Sequence, residues 1–378
     1  MDVKQITTIM NTVTNEVLGK TGVVSEDLSN IVDLGTEIFD TNNVDNYVKS
    51  LIDHIGRVVF VDRPYRGSVP SIMKDAWEYG SVLEKITMDK LPEAVENESW
   101  NLTDGQTYDP NVFHKPQVSA KFFNKRVTFE IDMSITERQV KESFSSPEQL
   151  NAFLSMIYNA IDKSMTVKLD SLVMRTIDML IAQSILASPK GLMVVHLLDK
   201  YNSIFGTTLT SEKALTDPEF IRYSVLQMGL TMDRMSKIST LFNAGEKERF
   251  TPKDMLNVVM LSEFKQSANV YLQSSTFHNE FTALPNADTV PYWQGSGKDY
   301  GFDSTSKILL DNIAPDGSGK TESGILAVMF DRDACGVTNL NRRVTTQYNP
   351  KGEFFNNFYK FDAGYFIDLN ENAVVFML

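Results

Sequence analysis

The run Ala314-Pro-Asp-Gly-Ser-Gly319-Lys320-Thr321 has the spacing of a phosphate-binding loop, with alanine where the first glycine belongs. Such a loop works because its backbone amides point at phosphates and because a helix begins at once, adding the dipole of its N-terminus. Here Glu322, Ser323 and Gly324 lead into the apolar run Ile325 to Phe330, which reads as a strand, and Gly324 would break the required helix in its first turn. Asp331 imitates a magnesium-binding aspartate, yet it follows Lys320 too closely for the crossover helix that parallel strands need. The spacing predicts a polar hairpin turn between two strands, with a P-loop nucleotide-binding protein as the alternative.

Other candidates fail on one missing residue each. Asp331, Asp333 and Gly336 match positions 1, 3 and 6 of a calcium-binding loop, but position 12 is Arg342, a cation where a bidentate Glu must close the shell. His278-Asn-Glu280 has the zinc-deaminase spacing, yet Cys335 is the only cysteine, so the partner Cys pair cannot exist. His54, His114 and His196 are isolated, and neither a Gly-x-Ser-x-Gly nor a His-Glu-x-x-His occurs. Glu93, Glu96 and Glu98 lie in a polar loop, where carboxylates are ordinarily solvated. The residues predict no enzyme, no cofactor and no metal.

Trp77 and Trp100 are a different kind of candidate. Both fall in a stretch, residues 57–120, broken by Pro64, Pro70, Pro92, Pro110 and Pro116, which forbids a long helix. Large aromatics in a segment without a core of its own suit an interface, where Trp is enriched among buried anchors. They are the candidate inter-subunit contacts, the bland option being that they pack on their parent domain. Long excursions of this kind usually have a function, often contact with a partner.

The elements around these residues follow from composition and periodicity. The 378 residues carry 36 Lys and Arg against 49 Asp and Glu, a net charge of −13, opposite in sign to the basic footprint of a nucleic-acid binder. With 42% hydrophobic and 22% charged residues, 20 Gly and 13 Pro, the composition is that of a globular chain of two or three packing units. No basic-plus-apolar signal opens it, and no apolar run approaches the roughly 18 residues of a membrane span. Val3 to Val17 and Asp45 to Ile55 predict short helices in an acidic arm that leans on something else, or else the first helices of an ordinary domain. Val127, Phe129, Ile131 and Met133 alternate with polar residues, a strand.

Ser146, Pro147 and Gln149 make a helix start, and apolar residues from Leu150 to Ile181 recur at helical spacing without Gly or Pro until Pro189. That predicts one spine helix of about 38 residues, near 57 Å long. Further helices are expected at Asp217 to Leu241 and Thr251 to Leu272. Strands are expected at Gly191 to His196, Ser306 to Asn312, Gly324 to Asp331, Arg343 to Tyr348, Phe354 to Phe361 and Ala373 to Leu378.

An acidic arm, a Pro-punctuated loop, a strand, one domain-length helix, a mixed region and returning strands together resemble a tailed-bacteriophage major capsid protein with the Hong Kong 97 fold. Three stretches are similar to capsid proteins of phages of Gram-positive hosts: Val59 to Pro64, Ser119 to Arg126, and Tyr348 to Phe354. The resemblance implies an α+β capsid fold: an N-terminal arm (1–56), an extended β-hairpin loop (57–126), a peripheral domain around the spine helix (127–187 and 340–372) and an axial domain (188–339). It implies self-assembly into hexamers and pentamers of an icosahedral head that encloses double-stranded DNA without specifically binding it. Implied partners are further copies, a separate scaffolding protein, a portal protein and a decoration protein, with no membrane. The virion capsid is the implied location and the host cytoplasm the place of assembly. An encapsulin-type shell of a bacterial compartment shares the fold and is the other alternative. Some family members join a loop Lys to an Asn on a neighbour; Lys74, Lys85, Lys90, Lys115, Asn356 and Asn357 are of those types, but nothing in the sequence positions them.

Overall fold

The computed structural model describes residues 3–20, 24–25, 29–39, 46–47, 50–51, 54, 69–74, 83–88, 90, 92, 94, 96, 101–187, 192–273, 287–293, 307–309 and 321–378. The chain divides into two compact units. One comprises Met1–Ala76, Arg126–Leu172 and Thr338–Gly364; the other comprises Trp77–Lys125, Val173–Val337 and Tyr365–Leu378.

The first unit is built on a four-stranded sheet in the order Met73–Lys74, Cys335–Asn349, Phe354–Ile367, Arg126–Thr136. Strand Arg126–Thr136 contains the alternation read from Val127 to Met133, and its antiparallel register sets Phe129 opposite Phe361 and Thr128 opposite Asp362. Because side chains alternate, one face gathers the apolar residues and the other a polar ladder. In that ladder Thr128 donates to Asp362 (2.6 Å), Arg343 reaches the same carboxylate (2.8 Å), and Lys360 pairs with Glu130 (2.9 Å).

The arm contributes to the core of this unit. Its helices Val3–Leu18 and Ile31–Phe39 bury Ile6, Met10, Val13, Ile31 and Leu34 within this unit. Gly35 lies so close to Phe144 that an added Cβ would come within 2.6 Å of it, and the Tyr47 and Phe144 rings meet edge-on at 6.3 Å. The covering residue, Phe144, is distant in sequence, so the local composition of the arm could not reveal it. Burial pushes the Tyr47 phenol up to about 12, although its hydrogen bond with Thr14 (3.2 Å) opposes the shift. Of the expected helix Asp45 to Ile55, most residues lie outside those described.

The spine helix runs Pro147–Ala187, 41 residues, and ends before Pro189 as its sequence predicts. The Gln149 amide donates to the Ser146 hydroxyl (3.2 Å), which caps the start. Residues through Leu172 belong to the first unit and those from Val173 to the second. Along its first part the buried residues Leu150, Leu154, Ile157, Ile161, Met165 and Leu169 form one stripe. From Leu172 to Ala182 nearly every position is buried.

The second unit centres on a five-stranded sheet in the order Val194–His196, Ala373–Met377, Ile325–Asp331, Leu256–Leu261, Asp288–Val290. Every residue of Ile325–Asp331 is buried, and both its neighbours run antiparallel to it. Helices Leu197–Phe205, Pro218–Met235 and Ser262–Gln273 complete the unit. The expected helix from Thr251 to Leu272 is therefore corrected: its first half is the strand Leu256–Leu261. Its apolar residues satisfy either period, and pairing with the buried Ile325–Asp331 strand decides the matter. Thr251 caps no helix there; its hydroxyl donates to Asp331 (2.7 Å).

Candidate inter-subunit surface

Within the second unit, and among the described residues, Leu83–Met88 and Val118–Phe123 pair only with each other, antiparallel, as the base of an extended hairpin. The register puts Lys85 opposite Lys121 and Thr87 opposite Ser119 on one face; Glu84 opposite Phe122, Ile86 opposite Ala120 and Met88 opposite Val118 share the other. The lysine face is turned toward the rest of the unit. Lys85 Nζ lies 3.2 Å from Asp368 Oδ2 and 2.7 Å from Glu371 Oε1, and donates to the Asp333 carbonyl (3.3 Å). Lys121 Nζ reaches Asp368 Oδ1 at 2.8 Å, and Lys247 donates to the Ser119 hydroxyl at 3.0 Å. Arg249 spans from Glu371 (3.5 Å) to the Met88 carbonyl (3.3 Å). Burial pushes the Asp368 carboxyl up, but the Lys121 hydrogen bond, the Lys85 charge and the Asn370 N–H together outweigh it and hold the group below the usual carboxylate range.

The opposite face carries apolar groups into solvent: Ile86 is 65% exposed, Phe122 61% and Val118 53%. Beyond the hairpin, residues 101–118 are all exposed. This segment still has local order. The Gln106 amide donates to the Thr103 carbonyl (3.2 Å) around Gly105, whose φ of +87° suits glycine. The Tyr108 hydroxyl accepts from the Thr103 amide (3.3 Å), and the Asp109 carboxylate accepts from the Asn111 amide (2.9 Å). The turns hold out Leu102, Tyr108, Val112 and Phe113, the last 83% exposed.

Among the described residues the chemical candidates are not assembled into a site. Residues 314–320 of the phosphate-loop run lie outside those described, but the segments on either side of 310–320, Lys307–Leu309 and Thr321–Ser323, pair antiparallel, and strand Ile325–Asp331 follows. Strand stands where a P-loop needs a helix, which removes the nucleotide-binding alternative. Asp331 is committed elsewhere, accepting from the Thr251 hydroxyl and from the Asp333 amide (2.8 Å). Among the described residues no group of three or more His, Cys, Asp or Glu could hold a metal ion. Asn357 is buried, its amide donating to the Met133 carbonyl (3.1 Å) and its oxygen accepting from Thr346 (3.0 Å). Trp77, Trp100 and His278 lie outside the described residues; the third Trp, Trp293, is buried and donates to the Ile325 carbonyl (2.8 Å).

Sequence reasoning did not find the charge cluster at the hairpin base. Lys121 and Asp368 are 247 residues apart, and no local pattern marks such a pair.

A domain-length helix, a self-paired extended hairpin and two units threaded by returning strands define the Hong Kong 97-like fold of tailed-phage capsid proteins. The chain superposes on a protein of the capsid structure of Staphylococcus phage Andhra with a TM-score of 0.51 and 10% identity, covering 83% of this chain and 85% of that one. It belongs to the Phi29-like phage major capsid protein family, which it matches over residues 10–377. Similar relatives are the major capsid proteins of Bacillus phage B103, 25% identical across 90% of this chain, and of Bacillus phage GA-1, 23% identical across 82%. The chain spans 65% and 56% of the length of those two relatives.

Proposed function

We propose that this chain is a structural shell subunit, assembling with further copies of itself into hexamers and pentamers of an icosahedral head that encloses double-stranded DNA. The observation that carries this reading is the locally ordered segment 101–118, which holds Leu102, Tyr108, Val112 and Phe113 clear of their own subunit. Apolar side chains presented by an ordered segment suit burial by a neighbour, and a closed symmetric shell offers every copy the same neighbour. In this reading residues 127–187 and 340–372 form the peripheral domain and 188–339 the axial domain, with the hairpin overlapping an adjacent subunit. The work is mechanical enclosure, without a catalytic step. The net charge of −13 keeps the DNA enclosed but not gripped. Scaffolding, portal and decoration proteins are the heterologous partners of such a head, which is built in the host cytoplasm and ends as the virion capsid.

The test is electron microscopy of the chain coexpressed with the other head proteins of its phage. Shells are expected from the unaltered chain. Leu102→Asp combined with Phe113→Asp should leave the far-ultraviolet circular dichroism unchanged and abolish them. Unaltered protein that yields only monomers or small rings overturns the shell reading, and a double variant that still forms shells removes segment 101–118 as the contact.

A further inference from the structure

The hairpin at Leu83–Met88 and Val118–Phe123 is inside out for an element docked on a globular unit. A docked hairpin ordinarily buries its apolar face and solvates its polar one. Here Lys85 (20% exposed) reaches inward onto Asp368 and Glu371 and the half-exposed Lys121 bends onto Asp368, while Ile86, Val118 and Phe122 face outward. Two further features bear on how firmly it is held. Lys85 and Lys121 are directly opposite each other across the two strands, a repulsive arrangement, and Asp368 lies within 3.2 and 2.8 Å of the two ammonium groups. The same carboxylate therefore attaches the hairpin to the unit and makes its own strand pairing tolerable. Apolar attachment occurs at one end, where Phe123 is buried with its ring 5.3 Å from that of Phe366, beside the Tyr365 amide that donates to the Lys125 carbonyl (3.2 Å).

We infer that the hairpin is an electrostatically latched strap, pinned at Phe123–Lys125 and closed onto Asp368 and Glu371 by Lys85, Lys121 and Arg249, which opens as a unit while the five-stranded sheet stays intact. The physical reason is the balance within partly buried ion pairs. Their desolvation offsets most of their attraction, so they fix an orientation without contributing the net stability that an equal apolar area would give. A strap held in this way is directed by its latch yet opens at small cost, and opening carries its outward apolar face with it. This property belongs to the isolated subunit and does not depend on shell formation.

Hydrogen exchange on the full-length chain, kept as soluble subunits, measures the opening directly. In the unaltered protein, amides of 83–88 and 118–123 should exchange faster than those of 325–331. Asp368→Asn should speed hairpin exchange about tenfold or more, a factor equal to about 1.4 kcal/mol, because it leaves the opposed Lys85 and Lys121 without the carboxylate they share, and should leave 325–331 unchanged. Lys85→Met should act in the same direction through the other partner of the pair, and it keeps the test available should Asp368→Asn fail to fold. Hairpin protection that survives both substitutions in folded protein would show that the charges do not hold it. Loss of protection in the hairpin and in 325–331 together would show that the hairpin is part of the core and not a strap.

Discussion

Asp178 is the residue whose chemistry is least expected from its place. It lies on the spine helix within the stretch buried on nearly all sides, and neither carboxyl oxygen has a hydrogen-bond partner among the described residues. Burial alone pushes its carboxyl well above the ordinary aspartate value. The sign of the consequence follows by linkage. Between the ordinary value and the raised one, the folded chain holds a proton that the unfolded chain has released, so stability falls as pH rises through that window. Asp178→Asn keeps the shape and removes the titration. The gap in urea midpoint between variant and unaltered protein should therefore widen in favour of the variant as pH rises from about 4, the ordinary aspartate value, toward neutrality. A gap that stays constant with pH would mean that folding leaves the Asp178 titration unshifted, and one that narrows would mean that the carboxyl is ionised and paired in the folded chain.

At the level of elements, helix Pro218–Met235 shows how a local signal becomes structure. Asp217 accepts from the amides of Glu219 and Phe220, both at 2.9 Å, and Pro218 occupies the first turn where its missing N–H is no loss. Asp217→Ala should lower stability by about 1 kcal/mol in denaturant titration. An effect near zero would show that the tertiary contacts of Phe220 and Ile221 hold the helix start unaided. Signals of this local kind are why the spine helix was legible from Ser146, Pro147 and Gln149 onward, and the strand after Arg126 from its alternation. Leu256–Leu261 was not legible as a strand, because its run of apolar residues fits both periods and only the partner strand distinguishes them. What the arm leans on was not legible for the same reason, since Phe144 meets Gly35 and Tyr47 from far along the chain. The latch was invisible because Lys85, Lys121, Arg249, Asp368 and Glu371 meet only after both strands of the hairpin and the turn after Ile367 are in place.

For the whole molecule two properties oppose each other. Apolar groups on the hairpin and on segment 101–118 favour association of copies, whereas a charge of −13 on every copy resists it. Their ranges differ: apolar contact acts only at touching distance, while repulsion between surfaces reaches about one Debye length, roughly 10 Å at 0.1 M salt. Added salt shortens the repulsion and leaves the apolar contact in place, so the encounter barrier between copies drops. Light scattering of the purified chain should therefore show assembly starting sooner and proceeding faster as sodium chloride is raised through the range about 0.05 to 0.5 M, over which the Debye length falls several-fold. If copies were joined mainly by ion pairs between subunits, the same titration would run the other way, and added salt would delay assembly. The Leu102→Asp, Phe113→Asp variant separates the two forces further. It adds negative charge and removes apolar area at one place, so added salt should not restore its assembly to the unaltered rate, because screening returns only the electrostatic part of what was lost.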